Sequence, residues 1–207
     1  MALATRRKLF DIFVRECAPT AADLAADFGV SGHDDHPVHY FFESLYPWTD
    51  RLTAIGREAE GAGWLAARFP GLSFLQADLR HIPVEDGHFD VGLCNAVVEH
   101  AGSREQQADL VREVCRVCKC VLFTTPNKGF PVEMHTFLPF VQWLPDPAFR
   151  GALRRLKFDY FADVANLNPL YGRELLSLFP RERENRVISV GLGVLRTNLV
   201  CVSRLPR

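Results

Sequence analysis

The chain has 207 residues and a formal net charge of −1, with 48% hydrophobic and 24% charged residues, the profile of one soluble globular domain with a sizeable core. The balanced charge argues against a basic nucleic-acid surface, and no apolar run approaches the roughly 20 residues that span a bilayer. Of the six cysteines, Cys94, Cys120 and Cys201 lie inside apolar runs, where a thiol behaves as a small hydrophobe.

The opening MALATRRKLFDIFVREC has no apolar core leading to a cleavage site and reads as an amphipathic helix. The expectation is a cytoplasmic protein with reduced thiols. An alanine-rich lead-in then ends at Asp27-Phe28-Gly29, the predicted end of a first strand. RLTAIG (51–56) predicts a second strand, followed by a helix through GWLAARF. LSFLQAD (72–78) predicts a third strand ending at an aspartate, and FDVGLCNAV (89–97) a fourth. The fourth is apolar on both faces, as a central parallel strand is. In SREQQADLVREVCRV (103–117), Leu110, Val111, Val114 and Val117 share one helical face. CVLFTTPN (120–127) predicts a fifth strand. Residues 128–180, rich in Phe, Leu, Trp and Pro, predict a helical cover with proline stops over one end of the sheet. RVISVGLGV and NLVCVSRL predict a closing strand pair. The sum is a single α/β domain (1–207) with a seven-stranded, mostly parallel sheet, helices on both faces, and the 128–180 cover inserted after the fifth strand.

In such a sheet, ligands bind at the carboxyl ends of the strands, where the strand order reverses. Those ends carry Asp27-Phe28-Gly29, Gly56-Arg57-Glu58, Asp78-Leu79, Asn95-Ala96 and Thr125-Pro126-Asn127. An acid after the second strand suits a ribose diol. Glu58 is the candidate and Glu60 its competitor, against the plainer reading of a solvated acid at a helix start. Asp78 can accept from an exocyclic adenine amine, with the Leu79 backbone beside it; the plainer reading is a turn or capping aspartate. The first loop, ADFGVSGHDDH (26–36), is short of glycines for a diphosphate, whose charge must be wrapped by backbone amides. A ligand with no phosphate, bearing an amino-acid end and a cationic sulfur, needs one glycine for close approach and an acid for its ammonium. Gly29 and Asp27 meet that need.

The stretch FLQADLRHIPVEDGHFDVGLCNAVVEH (74–100), with the helix and CVLFTTPN after it, resembles the second half of a class I S-adenosylmethionine-dependent methyltransferase of the methyltransferase-11 type. There a third strand ends in an aspartate, a link of the form lPf-dg-sFD-v follows, and the fourth strand ends near EH. The resemblance spans about residues 22–127 and is closest to bacterial members with an HTFLP…WLP-like segment after the fifth strand. It implies a Rossmann-like fold and S-adenosylmethionine as cofactor. By the same resemblance, Asp27 and Gly29 approach the methionine end, with Ser31 in the same loop. Glu58 would hold the ribose, Asp78 and Leu79 the adenine, and Asn95 and Ala96 would line the methionine side. The family's first loop usually reads acid-x-Gly-x-Gly-x-Gly; here Ser31 and His33 replace the last two glycines, and the second-strand acid comes late.

Methyl transfer from a sulfonium is an in-line displacement in which the cofactor supplies the reactive group, and aligning the acceptor can contribute roughly 7–11 kcal/mol. An oxygen acceptor also benefits from a general base, for which His135 and His100 are the candidates, against the plainer reading of histidines in local hydrogen bonds. Phe137, Phe140, Trp143 and Phe149 read either as an enclosure for an apolar acceptor or as the packing of the cover. The His33, His36, His39 run and CRVCKC (115–120) resemble metal-ligand spacings. Pro37 interrupts the first and the second lacks a partner pair, so no metal is assigned. The expected function is methyl transfer to a small-molecule acceptor, with no nucleic-acid or membrane partner. The alternative is a catalytically inactive methyltransferase-like binding domain with a degenerate glycine loop. A nicotinamide-dependent oxidoreductase is disfavoured by the same loop.

Overall fold

A computed structural model describes residues 2–31, 40–59, 62–192 and 195–206. The element order is α1 (Ala2–Cys17), β1 (Ala25–Phe28), α2 (Phe41–Leu45), β2 (Leu52–Gly56), α3 (Ala62–Arg68), β3 (Ser73–Gln76), β4 (Phe89–Asn95), α4 (Arg104–Val117), β5 (Cys118–Pro126), α5 (Asp146–Arg155), α6 (Asp159–Ala162), α7 (Gly172–Ser177), β6 (Glu184–Leu192) and β7 (Leu195–Arg204). The strands form one seven-stranded sheet in the order β3-β2-β1-β4-β5-β7-β6. β1 to β5 are parallel, and β7 inserts antiparallel between β5 and β6. The expected seven-stranded α/β sheet with an antiparallel terminal pair is therefore present. Among the described residues, no helix is long and apolar enough to cross a membrane.

Side-chain alternation along the strands feeds two cores. On one face, Leu110, Val111 and Val114 of α4 pack with Phe28, Phe89, Cys94 and Phe123. On the other, Leu9 and Phe13 of α1, Phe42 of α2 and Leu65 of α3 pack with Ala54, Leu93 and Leu122. Neighbours Leu93 and Cys94 on β4 thus serve opposite cores, which is why that strand is apolar throughout. α4 begins at a reciprocal cap: the Gln106 amide donates to Ser103 Oγ at 3.3 Å, and the Ser103 amide to Gln106 Oε1 at 2.9 Å.

Some boundaries differ from the sequence expectation. β3 stops at Gln76, two residues before Asp78, and β4 stops at Asn95, after which Val98–His100 forms a 3-10 turn. The segment between β5 and α5 is not helical beyond one 3-10 turn at Val141–Trp143. Its Phe137 and Phe140 adopt left-handed backbone angles, φ 57° and 59°, and Pro131, Pro139 and Pro145 remove the amides a longer helix would need. α5 and α6 share a small core of Val141, Phe149, Leu153, Ala162 and Leu167, whereas Leu175 of α7 joins the main core beside Leu199 and Cys201 of β7.

Arg183 ties the two halves of the sheet together. Its buried guanidinium donates to the carbonyl oxygens of Cys115 (2.9 Å), Cys118 (3.1 Å), Lys119 (2.7 Å) and Ser203 (3.2 Å), and to Ser203 Oγ (2.8 Å). It thereby satisfies the Cys115 carbonyl in the last turn of α4 and complements that helix's dipole. Arg183→Met strands several buried acceptors, each costing about 1–3 kcal/mol. The expected loss is about 3 kcal/mol or more, a fall in Tm of roughly 6–12 °C measured by calorimetry.

Candidate functional site

Chain order reverses between β1 and β4: β1, β2 and β3 run to one side of the sheet, β4 and β5 to the other. At that point the loop after β1 is folded down against β2, because the amides of Gly29 and Val30 both donate to the Ile55 carbonyl, at 2.8 and 2.9 Å. Gly29 has φ +96°, and a Cβ there would sit 2.3 Å from Val97 Cγ2, so no other residue fits. Gly56 is equally constrained, since a Cβ would meet the Val30 carbonyl oxygen at 2.2 Å. The Tyr40 hydroxyl donates to the Ser31 carbonyl at 2.7 Å, fixing the loop's far end.

Two cavities flank this loop and share Gly29, Val30 and Ser31: one of about 610 Å³, the other of about 260 Å³. The larger is walled by Glu58, Asp78, Leu79 and His100, the smaller by Arg6, Asp27, Asn95 and Ala96. The residues expected near a ribose and an adenine thus lie on one side of the loop, and those expected near an amino-acid end on the other. Glu60, His33, His36 and His39 lie outside the described residues.

In the larger cavity, Arg80 grips Asp78 with its Nε on Oδ1 (3.0 Å) and Nη2 on Oδ2 (2.6 Å), and its amide donates to Oδ1 (2.9 Å). That pairing draws the Asp78 carboxyl down to about 2, so it is an anion with lone pairs to spare. The Leu79 side chain is buried in the core.

The smaller cavity is more strongly charged. Asp27 is buried, and burial followed by the neighbouring Glu43 carboxyl pushes it well above the usual carboxylate range, with Arg6 pulling the other way. Burial raises Glu43 to about 7. Arg6 donates to Asn95 Oδ1, which also accepts from Thr124 Oγ1 at 2.7 Å. Ala96 holds φ 55°, with its amide on the Thr124 carbonyl at 2.9 Å. A non-glycine residue at positive φ is strained, and such strain concentrates at functional sites.

The histidine candidates, 35 positions apart in the chain, meet. His135 Nε2 lies 3.2 Å from His100 Nε2. The His100 Nδ1 is 2.6 Å from the Asn166 carbonyl, and the His135 Nδ1 is 2.7 Å from Glu133 Oε1. Burial lowers the His135 pKa, but its pairing with Glu133 outweighs this and the net shift is upward. Of the four aromatic candidates, Phe149 is buried in the small core, while Phe137, Phe140 and Trp143 are 71%, 56% and 46% exposed and wall neither cavity. In CRVCKC, the Cys115 Sγ lies 3.5 Å from Ser203 Oγ, Cys118 donates to the Cys120 carbonyl, and the Cys120 Sγ is 3.1 Å from Cys17 Sγ.

Sequence reasoning missed Arg6, Glu43, Glu99 and Glu133. Arg6 and Glu43 carry no local motif; each reaches the site from a helix remote in the chain. Glu99 and Glu133 left a trace in VVEH and VEMHT, a carboxylate one or two places before each histidine.

The Asp27–Glu43 pair gives a pH signature. Its folded-state pKa values are raised, so the native protein holds a proton that the unfolded chain releases near 4. Stability therefore falls as pH rises from about 4.5 towards 7. In Glu43→Gln, thermal melts should show a flatter decline across this window and a native state up to about 3 kcal/mol more stable at pH 8 than wild type.

The family described as Methyltransferase domain matches residues 43–120. No curated protein sequence matches the chain. Among solved structures, the PH0226 protein of Pyrococcus horikoshii OT3 superposes with a TM-score of 0.63 at 13% identity, covering 97% of this chain and 89% of its own. The YcgJ protein from Bacillus gives 0.62 at 11%, covering 97% and 100%. The N-methyltransferase NodS of Bradyrhizobium japonicum WM9, solved with S-adenosyl-L-homocysteine, gives 0.57 at 14%, covering 98% and 87%. The chain thus has the fold of the class I, Rossmann-like methyltransferases, and residues 43–120 match the methyltransferase-domain family.

Proposed function

We propose that the chain transfers a methyl group from S-adenosylmethionine to a small-molecule acceptor. The observation that carries this reading is the pair of cavities meeting at Gly29–Ser31, one walled by Glu58 and Asp78, the other by Asp27, Arg6 and Asn95. A nucleoside suits the first. Glu58 would accept from the ribose hydroxyls, and the Asp78 anion from the adenine amine, with the Leu79 backbone beside it. An α-amino acid suits the second: Asp27 supplies a carboxyl for the ammonium, and Arg6 a guanidinium for the carboxylate.

Two features disfavour a dinucleotide. The Gly29 and Val30 amides are consumed by Ile55 rather than directed at a phosphate, and a pyrophosphate in the smaller cavity would face the Asp27–Glu43 pair. The bound cofactor supplies a methyl group on a sulfonium. The chain's own work is alignment and exclusion of water, and the His100–His135 pair is the group positioned to engage the acceptor's nucleophilic atom. The chain's net charge of −1 fits an acceptor that is not a nucleic acid.

Isothermal titration with S-adenosylhomocysteine, with NAD as the control, tests this. Micromolar binding of the former and none of the latter is expected. Asp78→Ala removes a charged hydrogen bond worth about 1.5–3 kcal/mol and should weaken binding by at least tenfold. No binding to the wild type would instead support a methyltransferase-like binding domain that transfers nothing, the reading suggested by Ser31 and His33.

A further inference from the structure

His100, on the wall of the larger cavity, stands in a cluster with Glu99 and His135, and nothing in the methyl-transfer scheme requires the Glu99 carboxyl there. The ligand atoms of these three residues all lie within 4.8 Å of one another. Hydrogen bonding fixes both tautomers. The Nδ1 of His100 faces a carbonyl and that of His135 a carboxylate, both pure acceptors, so each Nδ1 carries the proton. Each neutral ring then presents a bare lone pair at Nε2, and the two Nε2 atoms are 3.2 Å apart. Two lone pairs at that distance repel unless a cation lies between or beside them.

Glu99 identifies the cation. Its side chain is 1% exposed, and neither carboxylate oxygen has a hydrogen-bond partner among the described residues. Arg6 is a cation in charge interaction with it but gives it no hydrogen bond. A buried carboxylate without one is costly, and a proton shared between the two imidazoles would leave it so. A metal ion would satisfy all three groups. Two imidazole nitrogens bound at about 2.05 Å are about 2.9 Å apart at an octahedral angle and about 3.3 Å apart at a tetrahedral one, and the observed 3.2 Å lies between. The outer contacts are also those of a metal site: Glu133 orients His135, and it is itself held by the Thr136 amide and hydroxyl, both at 2.7 Å. The Asn166 carbonyl orients His100.

We propose that Glu99, His100 and His135 bind a divalent first-row metal ion, zinc being the best match to two imidazoles and one carboxylate. Three protein ligands leave at least one position open. Resting on the methyl-transfer reading, that position takes a hydroxyl oxygen of the acceptor. The metal lowers its pKa, and the proton leaves to water. The oxygen then bonds to the methyl carbon as the carbon–sulfur bond breaks, its electron pair returning to sulfur to give the neutral thioether.

The test uses the purified, metal-stripped full chain without cofactor, titrated with Zn²⁺ against a competing chelator and with Co²⁺ by visible absorption. One equivalent bound at micromolar affinity or tighter is expected, with a Co²⁺ spectrum free of a sulfur charge-transfer band. Glu99→Gln, His100→Ala and His135→Ala should each weaken binding at least tenfold, and Glu133→Gln, which keeps all three ligands, by roughly 10–100-fold. No binding to wild type, binding unchanged in His135→Ala, or a sulfur band from Cys17 and Cys120 would each overturn the proposal. Should a variant lose its fold by circular dichroism, the wild-type Co²⁺ spectrum decides. Metal binding without S-adenosylhomocysteine binding would leave the metal site standing and remove the methyl-transfer reading. Cofactor binding without metal would do the reverse.

Discussion

The geometry of the site depends on one carbonyl. Ile55, near the end of β2, accepts the amides of both Gly29 and Val30, pressing the loop after β1 onto its neighbour just where strand order reverses. Gly29 takes positive φ and Val97 occupies the space a side chain would need, while Gly56 must be bare because the Val30 carbonyl occupies its own. Pressed down, the loop lies between the two cavities and lines both with Gly29, Val30 and Ser31. The amides of Gly29 and Val30 therefore bond to the sheet instead of facing a ligand.

The second half of the chain completes what the first half begins. The segment before α7 is stitched to the turn after β4: the Asn168 amide donates to the Glu99 carbonyl (2.7 Å), Asn168 Nδ2 to the Gly102 carbonyl (2.8 Å), and Gln107 Nε2 to the carbonyls of Val98 (2.9 Å) and Asn168 (2.8 Å). Arg104 adds the Pro169 carbonyl at 2.9 Å. These bonds bring Asn166 to His100 and set the tautomer of that ring. The segment after β5 delivers His135 with its own carboxylate, Glu133. Neither histidine has a defined chemistry alone; the packing of two distant segments creates one.

Charge is distributed in the same way. Asp27, which walls the smaller cavity, is buried against Glu43, with Arg6 as the nearby cation, and Ala96 on the same wall holds a strained backbone. Such an arrangement is poor for stability. It persists because α1, α2, β1 and β4 hold its members in place through apolar packing of Leu9, Phe13, Phe42 and Leu93 elsewhere on the same elements.

The strands were legible in the sequence because burial on both faces of a central parallel strand leaves a continuous apolar run, as in FDVGLCN, and because α4 shows helical periodicity between a capping serine and a strand. The candidates Asp27, Gly29, Glu58, Asp78, Leu79, Asn95 and Ala96 follow from one rule, since in a parallel sheet the carboxyl ends of the strands share one edge, and Ser31 came from the resemblance. In the cover after β5, α5, α6 and α7 are helical as expected, but the stretch before α5 is not, because aromatic and leucine content signals burial without specifying backbone, and the prolines and left-handed Phe137 and Phe140 decided against helix there. The sequence by itself determined which strands exist and which ends face the crevice, because periodicity and turn chemistry are local. Tertiary structure alone decided that Arg6 and Glu43 meet Asp27, and that Glu99, His100 and His135 converge. Those contacts join residues 16 to 36 positions apart in the chain, and no local pattern encodes a distance through space.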